Sequence, residues 1–163
     1  TPVEGDATLR QLTDHELDLV LTDEPLPAAD RREDARQVRL LDEPSMVWGS
    51  DALRARHQPG YPAGLDQAPF VLPARGTAIR RRFDEWIHAL GLRPRVVAEC
   101  EDRALALALA RAGHGLTVAP LDGSAPRGLV VVGDAPAVRE TTWGLTLARR
   151  IEHPAVAAVL GPG

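Results

Sequence analysis

No lysine and no asparagine occur anywhere in the 163 residues, cysteine occurs once, and serine is scarce. All 19 basic residues are therefore arginine. We read that bias as the codon usage of a GC-rich genome, without mechanistic content. The single thiol, Cys100, excludes a disulfide framework within the chain and fits a reducing compartment. Nothing approaches the roughly 20 consecutive apolar residues that a membrane helix needs. No signal peptide precedes the first elements, so a cytoplasmic protein without a membrane partner is expected. The chain opens on Thr1-Pro2-Val3 in place of a Met and an apolar first strand, which suggests that an upstream part is absent. With a formal charge of −4 and no dense basic stripe, this stretch is a poor electrostatic match for nucleic acid.

Several chemical signatures are missing as well. Ser45, Ser50 and Ser124 sit in no G-x-S-x-G elbow. His15, His57, His88, His114 and His153 lie far apart, with no H-x-x-x-H spacing and no paired cysteine beside them, so zinc and triad chemistry have no support. His88, between Ile87 and Leu90, is expected at the solvent edge of a helix. No Walker A sequence occurs, and the turn Ala74-Arg75-Gly76-Thr77 has one glycine where a dinucleotide fingerprint needs three. Gly113 and Gly115 form G-x-G, but before a strand rather than a helix. No cofactor and no metal centre is expected, and an enzyme would lack both a nucleophile with a partner base and a metal set.

What is present reads as a globular α/β chain. It is 44% hydrophobic and 26% charged, and a domain near this length buries roughly 70% of its unfolded surface. Leu9 and Leu12 at helical spacing predict a helix over residues 7–16, and the apolar run Leu17 to Thr22 predicts a buried strand. Pro25 and Pro27 end it, and Asp30 to Arg36 reads as a solvated loop. A strand pair is expected at Val38 to Leu41 and Ser45 to Trp48. The segment His57 to Pro69 is dense in Pro and Gly and reads as a connector and candidate lobe boundary.

The clearest pattern follows it. Phe70 to Leu72 predict a strand, and Thr77 caps a helix whose Ile79, Phe83, Trp86, Ile87 and Leu90 share one face. Gly91 stops that helix. Val96 to Ala98 predict a second strand, Asp102 caps a helix from Arg103 to Ala112 ended by Gly113, and Leu116 to Ala119 predict a third strand. The alternating Ala and Leu from Ala104 to Ala110 leave that helix apolar nearly all round, which predicts deep packing. Strand, helix, strand, helix, strand at this spacing implies βαβ units around a parallel sheet. Gly128 to Gly133 and Thr142 to Arg149 read as two further strands, and His153 to Leu160 as a final helix with Pro154 at its first position.

Two groups of carboxylates fall at expected strand ends: Asp23 and Glu24, then Glu99, Glu101 and Asp102. Open α/β sheets place their ligand crevice there. These residues suit helix capping and a solvated edge, or oxygen ligation of a polar or cationic group. Arg75 and Thr77 carry a parallel choice: Thr77 can be an N-cap, and the amides of Ala78 to Arg80 with Arg75 can hold an anion.

The runs DQAPFVLPARGTAIRRRFDEWIHALGLRPRVVAECED and RALALALARAGHGLTVAP, with the closing ARRIEHPAVAAVL, resemble the effector-binding domain of LysR-type transcriptional regulators, most of all its NhaR branch. The resemblance covers about Gly5 to Leu160. It implies a type II periplasmic-binding-protein-like α/β fold, two lobes joined by crossover strands. Lobe I would be discontinuous, 1–46 and 128–163, and incomplete at its N-terminus. Lobe II with its hinge segments would span 47–127, with Pro69 to Pro120 as its body. The implied pocket draws on Asp6, Thr8, Thr22, Asp23, Arg75, Gly76, Thr77, Glu101 and Thr117. The implied function is sensing of a small molecule or ion, either a cation such as sodium or lithium or a small anion, in the inter-lobe cleft. The implied partners are that effector, a second copy of the chain, and DNA only through a helix-turn-helix domain absent here. A solute-binding protein of a transport system is the alternative on the same fold.

Overall fold

The computed structural model describes residues 10–14, 16–31, 33–122, 125–147 and 154–161. Two compact units emerge, Thr1–Asp42 with Thr141–Gly163, and Glu43–Glu140. The division falls inside two long strands, β2 (Ala35–Gly49) and β6 (Val130–Leu147). Each is one continuous strand where the sequence predicts two. Proline removes a ladder donor, but its fixed φ is compatible with extended backbone, and the strands run on through Pro44 and Pro136.

The second unit carries the βαβαβ order expected from the sequence. β3 (Pro69–Pro73) and β4 (Arg95–Cys100) are parallel, paired from Pro69 opposite Arg95 to Pro73 opposite Cys100 with a register shift between Phe70 and Val71. Between them runs α2 (Ala78–Ala89), and α3 (Arg103–Arg111) leads from β4 to β5 (Thr117–Pro120). A short helix, α1 (Asp51–His57), precedes β3 and is not among the predicted elements; Ser50 caps it by accepting from the Leu53 amide. The connector His57 to Pro69 lies wholly within this unit, with Leu65 and Ala68 fully buried.

The third strand differs from a purely parallel sheet. β5 touches β3 through one parallel bridge, Phe70 to Leu116, in which the Val71 amide donates to the Leu116 carbonyl at 2.8 Å. Its main ladder is antiparallel, to Ser45–Trp48 of β2, so it joins the four-stranded order β1-β6-β2-β5. Gly115 permits the bridge: a Cβ there would stand 3.0 Å from the Pro69 carbonyl oxygen.

Period-2 and period-3.6 faces then meet in one core. Phe70 and Leu72 of β3 and Phe83 and Ile87 of α2 pack with Leu116, Val118, Val132 and Val138. Phe83 lies 5.1 Å from Phe70 and 6.0 Å from Trp86, ring centre to ring centre, in tilted and edge-on geometries favoured by aromatic quadrupoles.

In the first unit, β1 (Val20–Thr22) pairs antiparallel with β6, Val20 opposite Leu145 and Thr22 opposite Trp143. β1 is shorter than the apolar run that predicts it, because the Leu17 amide closes a turn on the Gln11 carbonyl and its side chain is exposed. Leu12, Leu26, Leu145 and Leu147 form the core here. The final helix α4 (Pro154–Leu160) does begin on Pro154. Arg36, expected in a solvated loop, instead donates to the Leu160 and Gly161 carbonyls at 3.1 and 3.0 Å, satisfying the helix's last acceptors.

Candidate functional site

The turn after β3 is built for a sharp change of direction. Gly76 has φ +92°, a region costly for any residue with a Cβ. The Thr77 hydroxyl donates to the Ala74 carbonyl at 2.9 Å and accepts from the Arg80 amide at 3.3 Å, so Thr77 caps α2 as its sequence position predicts. One turn along, Arg80 is 4% exposed. Two of its guanidinium nitrogens are engaged: Nε donates to Asp84, and Nη1 donates to the Pro73 carbonyl at 3.0 Å and meets Glu99 at 3.3 Å.

Arg75 reaches back to Glu99 as well, Nε to Oε1 at 3.0 Å. Glu99 therefore faces two guanidiniums, and its carboxyl is held below the usual carboxylate range, first by the Arg75 hydrogen bond and then by Arg80. Arg75 is otherwise solvated, and it serves as an ion-pair partner on the outside of the turn.

Beside this turn lies a cavity of about 150 Å³ within the second unit. Its apolar wall comes from Pro73, Ile79, Cys100, Ala106, Val118 and Pro120. Its polar groups are Thr77, Thr117, Glu101, Asp102, Arg103 and Glu140. Asp102 caps α3, accepting from the Ala104 amide at 2.7 Å. Arg103 Nη2 donates to Glu140 Oε1, which ties the start of α3 to β6. The second Glu140 oxygen is buried with no hydrogen-bond partner among the described residues. Thr117, on β5, is 1% exposed.

Of the residues singled out by sequence, Thr77, Glu101 and Thr117 are thus brought together, from the starts of α2, α3 and β5. Arg75 and Gly76 belong to the same turn but not to the lining. Thr22 and Asp23 lie in the first unit, where the Thr22 hydroxyl donates to the Glu24 carbonyl at 2.6 Å and the Thr141 hydroxyl to the Asp23 carbonyl at 2.7 Å. Asp6 and Thr8 lie outside the described residues. Sequence reasoning missed Arg103 and Glu140. Arg103 carries a usable signal, since the residue after an N-cap occupies the first helical turn at a strand end; Glu140, within the strand segment Arg139-Glu140-Thr141, carries none. No three or more histidine, cysteine or acidic side chains converge on a point among the described residues.

The family model for the LysR substrate binding domain matches residues 2–161, nearly the whole chain. The chain belongs to that family. This LysR domain is 27% identical over 152 residues to the transcriptional activator protein NhaR of Escherichia coli K12, covering 91% of this chain and 49% of NhaR. It therefore spans about half the length of that relative. Among solved structures it is similar to the CcmR regulatory domain of Synechocystis PCC6803 in complex with 2-PG, with TM-score 0.68 and 19% identity, covering 93% of this chain and 74% of that one. It is also similar to the effector-binding domain of QuiR in complex with shikimate, with TM-score 0.67 and 13% identity, covering 94% and 73%. At these identities the structural likeness fixes the fold, the α/β type II periplasmic-binding-protein-like fold of LysR regulatory domains.

The LysR domain is thus an effector-binding regulatory domain, and the transport solute-binding alternative is not favoured. Its relatives are transcriptional regulators and not enzymes. LysR-type regulators bind small-molecule effectors and DNA and act as oligomers. No helix among the described residues is long and apolar enough to cross a membrane.

Proposed function

We propose that this LysR domain senses its effector in the cavity lined by Thr77, Glu101 and Thr117, as the non-enzymatic regulatory part of a cytoplasmic homodimeric transcription regulator. In that reading DNA is bound only by a helix-turn-helix domain elsewhere in the full protein. One observation supports the site above all: three residues from separate stretches of sequence converge on one concave, mostly apolar pocket with a few polar groups, the usual make-up of a small-molecule site. Occupancy would act by favouring one arrangement of the protein over another, through its differential affinity for the two.

The test is calorimetric titration with sodium, lithium, small inorganic anions, 2-PG, shikimate and cyclohexylamine, alongside Ala106→Leu, which fills the cavity. At least one saturable ligand, lost in Ala106→Leu, is the expected result. A flat response across the panel, or binding indifferent to Ala106→Leu, sinks the site. Sedimentation velocity on the full-length regulator checks the homodimer.

A further inference from the structure

We infer that the occupant of this cavity is a small organic molecule that presents a protonated amino group to Glu140. The inference deepens the effector-site reading above and rests on it.

Several groups that could take an anion already have partners inside the protein. Arg103 donates to Glu140, the Thr77 hydroxyl proton goes to the Ala74 carbonyl, and the Ala104 amide at the start of α3 goes to Asp102. Arg80, close by, already meets Pro73, Asp84 and Glu99. What the lining leaves open is an acceptor. Glu140 Oε2 is buried and unpartnered, and a buried carboxylate oxygen without a donor carries a desolvation penalty that an incoming N–H relieves. Thr117, almost wholly buried, lines the same space.

Charge points the same way. Glu101, Asp102 and Glu140 face a single guanidinium, Arg103, and a concave site with apolar walls focuses that negative excess on its contents. The size of the site and the placement of its carboxylates argue for an organic cation over a bare metal ion. A cavity of about 150 Å³ matches one that holds a single benzene ring. Ile79, Ala106 and Val118 supply a hydrocarbon wall, and no cluster of three or more acidic, histidine or cysteine side chains converges to ligate a metal among the described residues.

Three probes of one shape separate the possibilities: cyclohexylamine, cyclohexanol and cyclohexanecarboxylate, titrated calorimetrically at neutral pH into the chain and into Glu140→Gln. The amine should bind saturably and more tightly than the alcohol, the carboxylate should not bind, and Glu140→Gln should weaken the amine by about tenfold or more, the worth of a charge-assisted hydrogen bond. If Glu140→Gln does not fold, amine affinity in the unaltered chain is followed as sodium chloride is raised, and a steady fall is expected from screening. Amine binding that ignores both Glu140→Gln and salt overturns the inference, as does silence from all three probes. Carboxylate binding that is lost in Ala106→Leu overturns it too, while leaving the cavity standing as the effector site.

Discussion

Helices α2 and α3 follow parallel strands in the same unit, yet they bury different kinds of surface. α2 buries Phe83 and Ile87 with the aliphatic stem of an ion-paired Arg80, so it anchors the aromatic core. α3 buries only Ala106 and Ala110, while Leu105 is 52% exposed. Its alternating Ala and Leu predict deep packing all round, and the structure corrects that prediction. The small residues set α3 close against two separate clusters, one around Trp48, Ala110 and Ala119 and one around Val71, Cys100 and Ala106. Side-chain volume, more than count of apolar residues, decides how much a helix face buries. α2 therefore provides stability, and α3, packed through alanines, brings Asp102, Arg103 and Ala106 to the cavity.

Substitutions can break or sharpen that contrast. The largest expected effect is Phe83→Ala, which should lower the unfolding free energy by about 3–5 kcal/mol through loss of buried area and a residual cavity; a urea midpoint unchanged from the parent chain would remove α2 from its anchoring role. Ala110→Leu should destabilise by about 1–3 kcal/mol, because the close approach of α3 leaves no room for added methylenes. An increase in melting temperature instead would mean that the α3 contact is loose. Thr77→Ala should cost about 1 kcal/mol by freeing the Arg80 amide, and since α2 keeps its core face, near-ultraviolet circular dichroism should stay unchanged.

Acid should expose a smaller difference. The Glu99 carboxyl titrates below its ordinary value when folded, so its contribution is present above the unfolded pKa of 4.5 and is lost as pH falls through the lower folded value. In Glu99→Gln the acid-side decline in stability should flatten, as read from denaturation midpoints over that range; an unaltered profile would mean that the two arginines leave Glu99 unperturbed. Smallest of all, Leu105→Gln should shift stability by no more than about 0.5 kcal/mol, and a loss comparable to that of Phe83→Ala would restore the all-round burial predicted for α3.

Much of the second unit was legible because its signals are local. Thr77 and Asp102 each cap the helix that follows, Gly91 and Gly113 end those helices at φ +70° and +85°, and the face Ile79-Phe83-Trp86-Ile87 packs as its spacing predicts. Of the cavity, Thr77, Glu101 and Thr117 were accessible because strand ends and helix starts mark the crevice of an α/β sheet. Glu140 was not, since its role depends on Arg103, 37 residues earlier.

The sequence by itself determined the caps, the stops, the amphipathic face of α2, the order of strands and helices from β3 to β5, and through its motifs the family. Those depend on interactions within a few residues, where backbone preference and side-chain period are decisive. The tertiary structure alone decided that β2 and β6 run unbroken through their prolines, that β5 pairs mainly with β2, that α3 buries alanines and exposes Leu105, and that Arg103 meets Glu140. Each of these is set by which surfaces meet across long stretches of chain, and local periodicity carries no record of the partner.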